Sequence, residues 1–299
     1  CPTISTRCRL PPRWASMRRM TNRALLLALL ASRAGCQAVQ DVLAAADKPT
    51  ARVTAVHFAD LSLQGIGLVF DVEIRNPYSV SLPLLGMDVA LSSRGKQFLS
   101  GASEVSGTVP AKGSRTVPVR ADVDFAGMLS VVTSVKPGAV VPWKADLTLS
   151  VDAPGVGRLA LPLSKSGELP VPTVPGVSLK RIEWRKLTLD EAQAVLHVDL
   201  KNTNSFVLDL VTLGYDLKLG GQRVAGAKVE RATSFGAGKA RTLEIPLTLR
   251  PIDLGLGAFN VLRGEDASYG LAGSIRAETP FGALDLPYAA EGTVPFVTR

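Results

Sequence analysis

The chain has 299 residues, with 34 Lys and Arg against 26 Asp and Glu, a formal net charge of +8 and three cysteines. That length suggests about two domains, and 46% hydrophobic with 20% charged residues excludes a disordered chain. No run of 18 apolar residues exists beyond the N-terminus, which excludes a polytopic helical membrane protein, and cysteines at 1, 8 and 36 cannot form a disulfide framework or a four-ligand zinc site.

Residues 1–16 are rich in Arg and Pro and lack helical or strand periodicity. From Met17 the pattern is ordered: Arg18, Arg19 and Arg23, then the apolar run Ala24–Ala31, then small residues ending Ala34-Gly35-Cys36. A charged stretch, a short apolar run and a small-residue cleavage site read as an export signal. Eight apolar residues are too few to cross about 30 Å of hydrocarbon as a helix. Ala34-Gly35-Cys36 also resembles the lipobox of bacterial lipoproteins, with Arg33 at the position that is usually aliphatic. Lipid attachment at Cys36 is expected, because a solitary thiol is otherwise awkward in an exported chain. By the same resemblance, Gln37 implies an outer-membrane lipoprotein facing the periplasm of a bacterial cell envelope. Residues 1–36 hold seven arginines and no acidic residue, so removing the signal leaves 8 − 7 = +1. The basic balance is an address label, and no nucleic-acid partner is expected.

After a tether over 37–50, the chain repeats itself at a spacing of about 126 residues. Val56, Leu61 and Leu63 recur as Ile182, Leu187 and Leu189, and Arg75-Asn76 recurs as Lys201-Asn202. Gly86-Met87-Asp88 matches Gly214-Tyr215-Asp216; Pro154, Pro162, Gly167 and Pro170 match Pro280, Pro287, Gly292 and Pro295. Within each copy the apolar period is 2, as at Leu68, Phe70, Val72 and Ile74, which marks half-buried antiparallel strands. Strands are predicted over Leu68–Ile74, Met87–Leu91, Thr116–Val123, Ala145–Val151 and Arg158–Leu163. Their counterparts are Val195–Leu200, Tyr215–Leu219, Arg241–Leu249, Gly270–Ala277 and Ala283–Leu286. Gly65-Ile66-Gly67 and Gly255-Leu256-Gly257 read as turns. Phe125, Leu129 and Val132, and Leu254, Ala258, Val261 and Leu262, recur at helical spacing, predicting one short helix per copy. The fold class is therefore all-β: two tandem antiparallel sandwiches over 51–169 and 177–299. The proline-rich stretch 170–176 should join them as a short semi-rigid spacer.

The duplicated motifs resemble the late embryogenesis abundant type 2 family, also called WHy (water stress and hypersensitive response) domains. Copy one carries Asn76-Pro77-Tyr78 and copy two Asn202-Thr203-Asn204, each a part of the family's Asn-Pro-Asn, and the tail Thr279-Pro280-Phe281-Gly282, Leu286-Pro287, Gly292, Pro295 fits closely. The resemblance covers about 245 residues as two domains. It implies immunoglobulin- or fibronectin-like sandwiches, a role in desiccation or stress tolerance, and no catalytic centre. From the residues alone, Asn76, Pro77, Asn202 and Asn204 are turn formers, with the Asn side chains bonding local backbone.

A search for reactive constellations returns nothing that would make the chain an enzyme. The two histidines, His57 and His197, stand at non-equivalent positions of the two copies and outside any base-plus-nucleophile pattern. There is no nucleophile elbow, P-loop or dinucleotide fingerprint, and neither metal nor cofactor is expected. Asp88 and Asp216 are equivalent but single in each copy, so they make no carboxylate pair. Three non-catalytic readings remain: a membrane-anchored stress protectant, a binding module holding a lipid or other apolar ligand between its sheets, and a structural partner of envelope proteins.

Overall fold

Alternating strands need a second apolar face to bury against, and each copy of the repeat supplies two sheets. In the computed structural model, which describes residues 48–298, the first copy folds β1 (Thr50–Ala59), β2 (Gly65–Arg75), β3 (Leu82–Ser93), β4 (Lys96–Ser103), β5 (Thr108–Val109), β6 (Ser114–Asp124), helix α1 (Phe125–Val131), β7 (Val140–Ala153) and β8 (Gly157–Pro170). The second folds β9 (Gly176–Leu187), β10 (Ala192–Lys201), β11 (Leu208–Leu219), β12 (Gln222–Phe235), β13 (Ala240–Leu249), helices α2 (Pro251–Leu254) and α3 (Leu256–Leu262), β14 (Asp266–Thr279) and β15 (Gly282–Thr298). Cys36, where lipid attachment is expected, the expected signal and nearly all of the expected tether lie outside the described residues.

In the first sandwich, sheet β1-β2-β6 faces sheet β4-β3-β7-β8, with β5 added to the start of β3. All the pairings are antiparallel. In the second, β9-β10-β13 faces β12-β11-β14-β15. This three-plus-four arrangement is the immunoglobulin- or fibronectin-like sandwich that the family resemblance implies. On β2, Leu68, Phe70, Val72 and Ile74 are fully buried while Asp71 and Glu73 face outward. Each full burial of that kind contributes about 1.5–3 kcal/mol.

Of the strands absent from the predicted set (β1, β4, β5, β9 and β12), two escaped for one reason. β4 and β12 are edge strands, and β4 is exposed or half-exposed along its whole length, so no apolar alternation marks it. Gly65 and Gly67 also correct the reading, for they open β2 rather than form a turn. A Cβ on Gly65 would lie 2.4 Å from the Val123 carbonyl oxygen, so the glycine permits close strand approach. Gly255, at φ 89°, does break the chain between α2 and α3, while Gly257 lies inside α3.

The copies differ where each sandwich closes. β15 pairs with β14 over Gly282–Pro295, then crosses to the other sheet and runs parallel to β9, Phe296–Thr298 against Ile182–Trp184. Phe296 meets Trp184 edge-on with centroids 5.9 Å apart. In the first copy Pro172 falls where Val297 stands, and a proline has no N–H to give a ladder. The chain leaves the sheet there and crosses to the second sandwich.

The tail glycines have a packing cause. Gly167 sits opposite Trp143, and Gly292 opposite Tyr269, at equivalent places in the two copies. A Cβ would stand 2.7 Å from the Trp143 ring and 3.0 Å from the Tyr269 ring. Each aromatic lies across the bare backbone of its neighbour. Gly167→Ala is expected to cost about 1–3 kcal/mol in urea unfolding through overpacking, whereas Gly101→Ala, at a strand position with open space, should leave the midpoint nearly unchanged.

Candidate functional site

The conspicuous polar positions are the asparagines that end β2 and β10, and the structure turns both inward. Asn76 and Asn202 are each about 1% exposed. Asn76 Nδ2 donates to the carbonyls of Val80 (2.8 Å), Pro110 (3.0 Å) and Val109 (3.2 Å), and its Oδ1 accepts from Tyr78 N at 2.9 Å. Asn202 Nδ2 donates to Phe206 (2.7 Å), Phe235 (3.1 Å) and Gly236 (3.2 Å), and its Oδ1 accepts from Asn204 N at 2.9 Å. The partners are identical under the repeat spacing. Sequence reasoning placed these residues in turns. It could not see that one amide ties its own turn to a segment more than 30 residues away, because that segment is brought up only by the sandwich.

Asn204 has a different task. Its Oδ1 accepts from Thr173 N at 2.8 Å and its Nδ2 donates to Thr173 O at 3.0 Å, so it pairs with the inter-sandwich segment as a strand neighbour would. Pro77, its neighbour in the first motif, leaves its carbonyl to Lys112 Nζ. Around Asn204 the two sandwiches are joined by several further contacts. Ser205 donates both N–H and Oγ to Gly138 O, at 2.7 and 2.9 Å. Gly138 N donates to Val171 O at 2.6 Å, and Thr203 Oγ1 to Val174 O at 3.0 Å. A Cβ on Gly138 would lie 2.8 Å from Thr203 O. Phe281, at the tip of the β14–β15 turn, packs edge-on against Phe58 and Phe206, both at 5.6 Å. Leu61 and Leu63 of the first sandwich pack on the core of the second. The proline-rich segment is thus hydrogen-bonded into a junction, and residues from Pro49 on cluster as one compact unit. The sequence carried a signal for Phe281: a large apolar residue at a turn tip, where the first copy has Gly155.

The histidines share a slot that sequence alignment hid. His57 Nε2 lies 2.9 Å from Asp71 Oδ2, on β1 and β2. At the equivalent diagonal of β9 and β10, Glu183 takes the histidine's place and His197 the carboxylate's, 3.3 Å apart. The pair has been kept and its members exchanged across the strands. His57 is exposed, whereas His197 is about 4% exposed, with Glu244 Oε1 3.8 Å from Nδ1. Asp216 holds Arg223 at 2.5 Å. Tyr288 donates to Gly214 O at 3.0 Å, and burial, then the neighbouring Tyr215, pushes its pKa up; burial does the same to Tyr215. Both tyrosines therefore stay protonated at neutral pH and serve as packing and hydrogen-bonding groups. Among the described residues, no group of three or more His, Cys, Asp or Glu side chains is placed to hold a metal ion.

A pair of joined sandwiches, each pinned by an internal asparagine, defines a class of duplicated all-β proteins. The family is given by comparison. The model of the family described as Late embryogenesis abundant protein matches residues 71–167 and again 197–292, and the chain belongs to that family. It is similar to the soybean (Glycine max) desiccation protectant protein Lea14 homolog, 31% identical over 127 residues, covering 42% of this chain and 84% of the relative. The Arabidopsis thaliana probable desiccation-related protein LEA14 is 27% identical over 135 residues, covering 45% and 89%. A protein of Arabidopsis thaliana solved in solution is 26% identical with a TM-score of 0.36, covering 43% of this chain and 85% of that one.

Asn202→Ala removes the side-chain donor from the buried carbonyl of Phe206, while Gly236 O keeps Lys239 N, and an unsatisfied buried carbonyl costs about 1–3 kcal/mol. A loss of at least that size is expected in urea unfolding, and the same for Asn76→Ala. Asn204→Ala should instead speed proteolytic cleavage within 171–175 while both sandwiches stay folded, read by mass spectrometry of the fragments.

Proposed function

We propose that this chain is a non-catalytic protectant against desiccation or related stress, of the WHy kind, held at a bacterial cell-envelope membrane by lipid on Cys36. The observation that carries the protective role is the duplicated family domain, whose curated relatives are named for desiccation. The site geometry supports it: the motif asparagines are consumed in internal hydrogen bonds rather than presented to a ligand. Outside, the sheets carry exposed ion pairs such as Arg52–Glu73 at 2.6 Å and Arg120 with Asp60 and Asp122, both at 2.7 Å. Surface pairs of this kind contribute little to stability but keep a polar, hydrated exterior. Lipid carriage between the sheets is less well supported. The apolar cavity bounded by Pro175, Leu200, Leu210 and Ile275 has a volume of about 20 Å³, room for about one water and not for an acyl chain.

Two experiments test the proposal. A labile enzyme dried and rehydrated with the purified chain should retain more activity than with an equal mass of serum albumin; equal losses overturn protection. Protein recovered from bacterial membranes should have the mass of a chain starting at Cys36 plus acyl groups, and Cys36→Ser should move to the soluble fraction. A membrane-bound Cys36→Ser protein overturns the anchor.

A further inference from the structure

We propose that this chain associates with copies of itself end to end, the free end of its second sandwich docking on the free end of the first sandwich of the next copy. Each sandwich has two unlike ends. One carries the first hairpin turn and the short helix; the other carries the buried asparagine. The internal junction sets the helix end of the first sandwich (Leu61, Leu63, Gly138) on the asparagine end of the second (Ser205, Phe206, Phe281). A contact between two different surfaces leaves one of each kind over, so further copies can add head to tail. Among the described residues, the helix end of the second sandwich and the asparagine end of the first are left without that partner.

The residues that make the junction reappear at those free ends. Leu63 has its counterpart in Leu189, which is exposed and lies beside exposed Ile252 and Leu256, with Ile252 N donating to Leu189 O at 2.9 Å. Gly138 has its counterpart in Gly264, and Ser205 in Ser79, both exposed. Val80 stands where Phe206 does and is 51% exposed; Val156, in the turn equivalent to the one that carries Phe281, is 56% exposed. Leu189 and Val80 face water in positions that are covered at the junction, and Ile252, Leu256 and Val156 widen the exposed apolar surface at those two ends, the signature of an interface used once inside the chain and offered again outside it.

The intermolecular contact is weaker than the internal one. Tyr78 replaces the clamping Asn204, and Gly155 replaces Phe281. The five residues of 171–175 also give the internal pair an effective concentration of roughly millimolar order, which separate chains must reach in solution. Association therefore sets in at high protein concentration, the condition that water loss creates.

Sedimentation of the full chain tests this. The wild type should show an average mass that climbs with concentration through dimers to longer species. A helix-end variant (Leu189→Asp with Leu256→Asp) and an asparagine-end variant (Val80→Asp with Val156→Asp) should each stay monomeric, with far-ultraviolet spectra like the wild type, because the altered side chains face solvent. Mixed in equal amounts they should form dimers and nothing larger, since one intact helix end meets one intact asparagine end. A second measurement is independent of those variants: Val80→Cys mixed with Leu189→Cys under mild oxidation should give a disulfide joining positions 80 and 189 of different copies. A wild type that stays monomeric to its solubility limit, a mixture that stays monomeric, or cross-links confined to 80–80 and 189–189 overturns the proposal.

Discussion

A primary amide buried at the end of a strand organises each half of this molecule. Asn76 and Asn202 spend both amide hydrogens on carbonyls from two separate stretches of chain while accepting the backbone N–H two residues on. Pro110 O and Gly236 O also receive a backbone N–H, from Gly113 and Lys239, whereas the turn carbonyls of Val80 and Phe206 are met by the asparagine. This side chain bridges the turn after β2 to the segment before β6, alongside the backbone bonds Asn76 N to Gly113 O and Lys112 N to Tyr78 O. Asp or Ser at the position would supply the acceptor and lose the paired donors, so the residue type follows from hydrogen-bond arithmetic.

Once that turn is pinned, the two copies can diverge at their edges without disturbing their cores. Pro172 ends the ladder that Val297 continues, and the released strand end becomes the link to the second sandwich. Asn204 then binds that link as though it were a strand neighbour, and Phe281 fills the angle between Phe58 and Phe206. Edge-on aromatic pairs add about 0.5–1.5 kcal/mol each beyond their burial, and the junction has two. Duplication therefore produced a single jointed body in which the second copy's specialised residues serve the first.

The proposed protective role places function on surfaces rather than on a reactive centre. The His–carboxylate pairs illustrate why chemistry-bearing residues can mislead: His57–Asp71 and Glu183–His197 occupy the same cross-strand diagonal with the partners exchanged. A slot that tolerates exchange of its members specifies a polar contact between neighbouring strands, not a directed proton transfer.

Much of this was legible in the residues themselves. Period-2 alternation and the repeat spacing determined the all-β class, the two sandwiches and the place of the helical segment in each, which Gly255 splits into two helices in the second copy, because side-chain periodicity is a local property. Gly and Pro marked most turns for the same reason. What the tertiary structure alone decided are the contacts between residues far apart in sequence. These are the three carbonyls that meet each asparagine, the crossing of β15 to β9, the burial of His197 on a strand whose outward face is covered, and the junction that turns a proline-rich spacer into a bonded segment. Edge strand β4 belongs with these, since an element exposed or half-exposed along its whole length leaves no apolar rhythm to read. A sequence records which face of a strand is apolar; which distant backbone comes to rest against it is settled only when the sheets pack.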